Sequence, residues 1–208
     1  MTETLIHAFI TLFVIADPFG VAPIFLALTA GSDEPYRKRM AVRGVVIATI
    51  VMLVFAFVGD YLFRALGVSI YALSIAGGAL LFLLAIDMVL ARRTGLRSTT
   101  VSEDQEAGSK EDISVFPLAI PLIAGPGALT SILLLMERTN HDVVLQAGII
   151  VILLAVMGLN YIALAYAHYV KRLLGVTGVN VVGRVFGIIL AALAVQFILN
   201  GIKGSGLV

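Results

Sequence analysis

Two proline–glycine breaks fall inside segments that are otherwise apolar enough to cross a membrane, and they limit what this chain can fold into. The first is Ala16-Asp-Pro-Phe-Gly-Val-Ala-Pro-Ile-Phe-Leu-Ala-Leu-Thr-Ala30 and the second is Phe116-Pro-Leu-Ala-Ile-Pro-Leu-Ile-Ala-Gly-Pro-Gly-Ala-Leu-Thr-Ser131. Proline locks φ and has no N–H, and it pushes the residue before it out of the α region. A helix is therefore expected to stop near Asp17 and near Gly125, then to restart at Pro18 and Pro126, the favoured first helical position. A restart in mid-bilayer leaves first-turn amides without helical partners, and hydrocarbon cannot supply any. Something polar has to sit there. A transported solute is the expectation.

Composition places the chain in a membrane. Of 208 residues, 60% are hydrophobic and 13% charged, against about 25% charged in ordinary soluble domains. Mean hydropathy is +1.07. A formal net charge of +1 argues against nucleic acid as a partner. With no cysteine, neither a disulfide framework nor a thiolate metal site is available. The opening Met1-Thr-Glu-Thr is not basic and leads to no clear cleavage site, so the first apolar segment is expected to be retained.

Six segments reach the roughly 20 apolar residues that a spanning helix needs: Leu5–Ala30, Ala41–Phe63, Ile70–Leu90, Ile113–Met136, Val143–Val170 and Val179–Ile202. The expected fold is an all-α polytopic membrane protein with its first and fourth helices interrupted. It forms one membrane domain, 1–208, with a first half 1–90, a mixed-charge loop 91–112 and a second half 113–208. Lys and Arg fall unevenly. Arg37, Lys38, Arg39, Arg43, Arg92, Arg93, Arg97, Lys110, Lys171 and Arg172 lie on one side, and Arg64, Arg138 and Lys203 on the other. The positive-inside rule then puts the loops 31–40, 91–112 and 171–178 in the cytoplasm and both termini outside it.

The two halves resemble each other. Asp60-Tyr-Leu-Phe-Arg-Ala-Leu-Gly-Val-Ser69 aligns with His168-Tyr-Val-Lys-Arg-Leu-Leu-Gly-Val-Thr177 at an offset of 108, the offset that also relates Pro18 to Pro126. Gly78-Ala-Leu-Leu-Phe-Leu-Leu-Ala-Ile-Asp87 aligns with Gly187-Ile-Ile-Leu-Ala-Ala-Leu-Ala-Val-Gln196 at 109. Three crossings end on the far side of the bilayer, so two three-helix copies must be inverted. Inverted repeats with paired interrupted helices point to a secondary transporter whose site lies at the repeat interface.

Asp17-Pro-Phe-Gly-Val-Ala-Pro-Ile-Phe-Leu-Ala-Leu-Thr29, taken with Pro117-Leu-Ala-Ile-Pro-Leu-Ile-Ala-Gly-Pro-Gly-Ala-Leu-Thr130, resembles the signature of the MarC family of bacterial and archaeal inner-membrane proteins. The similarity covers essentially the whole chain. Relatives with an assigned activity carry small neutral amino acids such as glycine and alanine. The resemblance implies the same class of solute here, whereas the spacing by itself implies only a small polar one.

The two breaks differ chemically. Asp17 stands where an N-cap belongs and brings its own anion. Gly125 brings no side chain, so the amides of Gly127, Ala128 and Leu129 are expected to lie open at the positive end of a helix dipole, which suits a carboxylate. The expected substrate site is therefore Asp17, Pro18, Gly20, Gly125, Pro126, Gly127, Ala128, Leu129, Thr130, Ser131 and the mid-span Asn160. A zwitterionic amino acid would set its carboxylate on Gly127–Leu129, helped by Thr130 or Ser131. Its ammonium would face Asp17 and freed carbonyls near Gly125 and Ala16. Asp17 and Asp87 are the candidates for coupling to a proton or sodium ion. Asp60 and His168 are expected at the interface, Arg184 either paired or snorkelling, and Gly77-Gly78 with Gly183 and Gly187 in close helix packing.

No cofactor and no metal are expected, since the histidines at 7, 141 and 168 are too scattered for a metal motif. Membrane lipids are the surrounding partner, and homo-oligomers stay open. Two other classes also stay open: a membrane binding or assembly protein that carries no solute, and an intramembrane hydrolase using Asp17 and Asp87 for acid–base work.

Overall fold

The computed structural model describes residues 2–90, 112–140 and 142–206. The polar linker at 91–111, with its basic residues, and His141 lie outside the described residues. The elements are α1 Thr2–Ala16, α2 Pro18–Leu28, α3 Glu34–Ala65, α4 Ile70–Val89, an irregular coil α5 Ser114–Ile123, α6 Pro126–Glu137, α7 Val143–Ala165 and α8 Ala167–Gly204. Among the described residues, five stretches are long and apolar enough to span a bilayer, or six if the bent pair α5–α6 counts as one. The protein is all-helical among its described residues, as the composition requires.

Local sequence sets the helix ends. Asp33 caps α3, its Oδ1 accepting from the Tyr36 N–H at 2.9 Å. The Ser69 hydroxyl caps α4 through the Ala72 N–H, and Asp142 caps α7 through the amides of Val144 and Leu145. Gly67, at φ 71°, closes α3 with its own N–H on the Arg64 carbonyl and that of Val68 on the Phe63 carbonyl. That pair of bonds is a Schellman ending, which needs the left-handed conformation that glycine adopts freely. α3 has 32 residues, about 48 Å of helix, so its polar start with the Lys38–Glu34 ion pair extends beyond a core of about 30 Å.

The most extensive helix contact among the described residues joins α4 to α8. The pair is antiparallel and close. A Cβ added to Gly78 would lie 2.7 Å from the Ala194 carbonyl oxygen, one on Gly187 3.0 Å from that of Ala85, and one on Gly201 2.8 Å from that of Tyr71. The Ser74 hydroxyl donates to the Phe197 carbonyl at 2.8 Å in the same seam. In lipid, where no apolar driving force separates helix from solvent, such small-residue approach and interhelical hydrogen bonding hold helices together. Around this seam the elements interlock. α1 and α2 pack on α7 and α8, while α5 and α6 pack on α3 and α4. The outward faces carry Val42, Val46, Ile50, Val54 and Phe57 of α3 and Val181, Val185 and Ile188 of α8, side chains suited to acyl chains.

Two boundaries differ from the sequence expectation. The fifth span ends at Ala165 rather than Val170, because the chain turns at Tyr166 and α8 begins at once. The helix is then interrupted at Gly175 (φ 63°), and the stretch long enough to span runs Thr177–Gly204. Between the turn and the interruption, His168, Tyr169, Lys171 and Arg172 are exposed. Such amphipathic side chains suit the headgroup level rather than the hydrocarbon. The two breaks also differ in severity. Thr2–Leu28 runs across Asp17 as one 27-residue span, whereas α5 and α6 meet at 58°.

Close packing at α4–α8 should be measurable. Gly78→Ala and Gly187→Ala are expected to lower the thermal midpoint in detergent, since each added methyl runs into a backbone carbonyl. Gly183→Ala, with nothing within 4 Å of the added carbon, should leave it unchanged or raise it, through a helix propensity gain of about 1 kcal/mol. A second link is acid-sensitive. Asp112 holds the start of α5, accepting from the Ser114 hydroxyl and N–H and pairing with Arg43 of α3 at 2.9 Å. The Ser114 hydrogen bonds, then Arg43, hold its carboxyl below the usual carboxylate range. A depressed folded-state value means that this stabilisation is present above the unfolded value of about 3.9 and is lost as pH falls through the depressed one. Wild-type protein should therefore lose stability below about pH 4 more steeply than Asp112→Asn, followed by thermal unfolding across pH.

Candidate functional site

At the first break Asp17 adopts a left-handed conformation, φ 44° and ψ 62°, and is 3% exposed. Its N–H still donates to the Phe13 carbonyl, and its own carbonyl accepts from Gly20 and Val21. The carboxylate Oδ1 accepts from the Gly20 N–H at 3.1 Å, the role expected of an N-cap. A side chain on residue 20 would overlap that carboxylate, so Gly20 is the space into which Asp17 folds. Pro18 has no N–H to give the ladder, and the Gly20 N–H reaches the Asp17 carbonyl and carboxylate in place of a carbonyl four residues back.

The second break is wider. In α5 the Leu118 N–H donates to the Ile113 carbonyl and the Ala124 N–H to that of Ala119, each reaching back five residues. Phe116 and Ile120 are extended, each before a cis proline. Gly125 caps α6 with no side-chain hydrogen bond. Its lack of a Cβ is needed for close approach, because an added carbon would stand 2.6 Å from the Pro121 carbonyl oxygen.

Three expectations change here. The Leu129 N–H is not open, since it donates to the Gly125 carbonyl at 3.1 Å. That bond also occupies the Gly125 carbonyl expected to face an ammonium. The Thr130 hydroxyl turns back onto the Pro126 carbonyl at 2.9 Å and presses its methyl on Gly77 of α4, so it is not poised to meet a ligand. Each change has one cause: once α6 begins, its fourth residue satisfies the ordinary i→i−4 ladder and a threonine follows the same geometry. Gly127 and Ala128 remain as first-turn residues whose amides have no helical carbonyl behind them.

Those two residues, with Gly125, Pro126 and Pro121, line a cleft that Ile15 of α1 and Leu84 of α4 complete. From the first break only Ile15, two residues before Asp17, borders the cleft; Asp17, Pro18 and Gly20 do not line it. The cleft holds about 20 Å³, room for about one water and too little for an amino acid. Among the described residues, three fully buried oxygens have no partner: Thr11 Oγ1, Ser131 Oγ and Asn160 Oδ1. Each such orphan costs about 1–3 kcal/mol. Asn160, expected to reach the site, is fully buried on α7, and its amide nitrogen donates to the Val156 carbonyl at 3.4 Å. α1 and α7 make contact where Leu5 meets Gly148, and twelve residues further along each helix stand Asp17 and Asn160. Thr11 was not anticipated. Its signal is a lone hydroxyl on the buried side of α1, six residues before the break. Asp87 is half-buried near the end of α4 and lies outside the cleft lining. Gln196 and Arg184 are exposed, Gln196 donating to the Asn200 side chain at 2.8 Å. No cluster of metal-ligating side chains occurs among the described residues.

A family model described as MarC family integral membrane protein matches residues 2–205. The chain belongs to the MarC family. It is 38% identical over 200 residues to the Escherichia coli inner membrane protein YhgN, covering 96% of each chain. It is 34% identical over 204 residues to the Bacillus subtilis membrane protein YvbG, covering 98% of this chain and 96% of that one. A Pyrococcus abyssi membrane protein is 36% identical over 203 residues, with 98% and 96% covered. No solved structure matches the chain. Membership makes this an integral membrane protein, in keeping with the exposed apolar faces of α3 and α8.

For a MarC protein built this way, the Asp17 cap should be separable from its charge. Asp17→Asn keeps an acceptor for the Gly20 amide and is expected to change the thermal midpoint little. Asp17→Ala should cost about 1 kcal/mol, read as a lower unfolding midpoint of the purified protein in detergent.

Proposed function

We propose that this MarC protein is a secondary transporter of small neutral amino acids of the glycine and alanine class, working by alternating access. The observation that carries the reading is the pair of first-turn amides, Gly127 and Ala128, opening on a cleft within the spanning region beside the Asp17 break. Their dipole end suits a carboxylate. The buried hydroxyl of Ser131 and the amide oxygen of Asn160 are unpartnered polar groups on the helices around it. The resemblance of the two break motifs to those of the family's amino-acid carriers supplies the solute class.

An inverted-repeat arrangement supports alternating access. The offset of 109 carries Gly78, Ala85 and Val89 onto Gly187, Ala194 and Ile198. Gly78 packs on Ala194 and Ile198, while Gly187 packs on Ala85 and Val89. One contact thus occurs twice, as a two-fold axis in the membrane plane would produce. The reciprocal packing of each broken helix on the other half fits the same axis. The small cleft corresponds to a closed arrangement, and solute admission would require α5 or α6 to shift against α4. The basic loops are taken as cytoplasmic and the membrane as the inner one, the location in YhgN's name. Asp17 is the candidate for proton or sodium coupling.

Liposomes containing the purified protein should take up labelled glycine and alanine faster than empty ones, with a proton or a sodium gradient raising the rate. Gly127→Val should remove an amide-to-carboxylate contact of about 1.5–3 kcal/mol, roughly 10- to 100-fold in affinity, while eluting as folded protein. Flux equal to empty vesicles for every small amino acid would end the proposal.

A further inference from the structure

We infer that the start of α8, with the start of α3 beside it, is a binding surface for the headgroup of an anionic phospholipid. The chain turns at Tyr166 and α8 is interrupted at Gly175, which sets residues 167–174 apart as two turns of helix. Their pattern is segregated at 3.6 residues per turn. Ala167, Val170 and Leu174 share the inner side, the first buried and the others half-buried. His168, Lys171 and Arg172, three and four residues apart, form one outer edge, and all three are exposed. Tyr169 and Leu173, also four apart, form the other, at 65% and 86% exposed. A leucine so open is disfavoured in water and suits acyl chains, while the basic edge next to it suits phosphate. A helix with those two edges lies in the boundary between headgroups and hydrocarbon, and an integral membrane protein has that boundary around each end.

Charge makes the surface selective for an anionic headgroup. No Asp or Glu occurs from residue 143 to residue 208, so neither α7 nor α8 can neutralise Lys171 or Arg172. Neither side chain has an ion pair among the described residues. The neighbouring element adds to the surface. The Lys38 ammonium, in the first turns of α3, interacts electrostatically with the Tyr161 and Tyr166 hydroxyls, which brings the run Arg37-Lys38-Arg39 to the same end of the molecule. The Tyr166 ring meets that of Tyr169 at 6.2 Å, and Tyr169 meets the His168 ring at 6.2 Å, so aromatic rings link the two basic groups. Lys38 also pairs with Glu34 at 2.8 Å, but both side chains are well exposed, and such a pair is weak enough to exchange for a phosphate. A zwitterionic headgroup brings its own cation to this surface and an anionic one does not, so the anionic lipid is preferred. None of this depends on the transport of a solute.

The chain has no tryptophan, so Leu173→Trp supplies a single fluorescent reporter at the surface. The full-length variant is placed in phosphatidylcholine bilayers containing a fixed minor share of either bromine-labelled phosphatidylglycerol or bromine-labelled phosphatidylcholine, whose bromines quench on contact. Both lipids should quench. At low salt phosphatidylglycerol should bind roughly 10- to 25-fold more tightly, from about fivefold for each basic side chain near the surface, and the preference should fall as sodium chloride is raised. Ile188→Trp, on the exposed face of α8 further along the span, should respond equally to the two lipids. Adding Lys171→Gln and Arg172→Gln to Leu173→Trp should bring the ratio close to one in protein that still elutes as folded, whereas Lys171→Arg with Arg172→Lys should keep it. Lys38→Gln should lower it about fivefold, and no change there would overturn the part given to α3. An equal response to the two lipids at Leu173→Trp overturns the site. So does a preference that survives loss of both charges, or one of the same size at Ile188→Trp. Quenching by neither lipid takes residue 173 out of the bilayer boundary and ends the inference.

Discussion

A backbone N–H in hydrocarbon must find an acceptor inside the protein, because no water is there to serve. An unbroken helix meets that demand automatically. This chain gives up the automatic solution twice, at Pro18 and at Pro126, and the structure around each break follows from how the missing bonds are replaced. At Asp17 the replacement is internal: a left-handed residue returns its carboxylate to Gly20 and its carbonyl to Gly20 and Val21, so the span continues almost undisturbed. At Gly125 no side chain answers, α5 and α6 diverge by 58°, and two amides are left facing a cleft.

Holding such breaks within a membrane demands close neighbours. Each broken helix is pressed on the opposite half of the chain, α1 and α2 on α7 and α8, α5 and α6 on α3 and α4. The approach is limited by side-chain size, and glycines are placed where it is tightest: Gly77 beneath the Thr130 methyl, Gly44 beneath Leu118, Gly59 beneath Leu133. The α4–α8 seam binds the two halves through Gly78, Gly187 and Gly201. Within this packed interior the unpartnered oxygens of Thr11, Ser131 and Asn160 are a standing cost to stability.

Legibility in the sequence follows the range of the interaction. Both breaks and the cap at Asp17 depend on a few consecutive residues, and each is set by φ restriction or by a side chain reaching its own backbone. The spans were legible for a similar reason, since apolar length alone decides what can cross a bilayer. The turn at Tyr166 was not, because no proline or glycine marks it and the apolar run continues through Val170. The expected openness of Leu129 and Thr130 failed at a shorter range. Their partners, Gly125 and Pro126, are four residues back, and the helix took them as soon as it resumed.

The sequence by itself determined that the chain is a helical membrane protein whose helices break at Asp17 and Gly125, because proline geometry and transfer of apolar side chains out of water are local properties. Only the tertiary structure decided which groups meet: that Ile15 and Gly127 border one cleft, and that Arg64 of α3 reaches Glu137 of α6, 73 positions further along the chain. Those meetings depend on helix register and crossing, which are set by close packing of side chains far apart in the chain, and no local pattern carries that information.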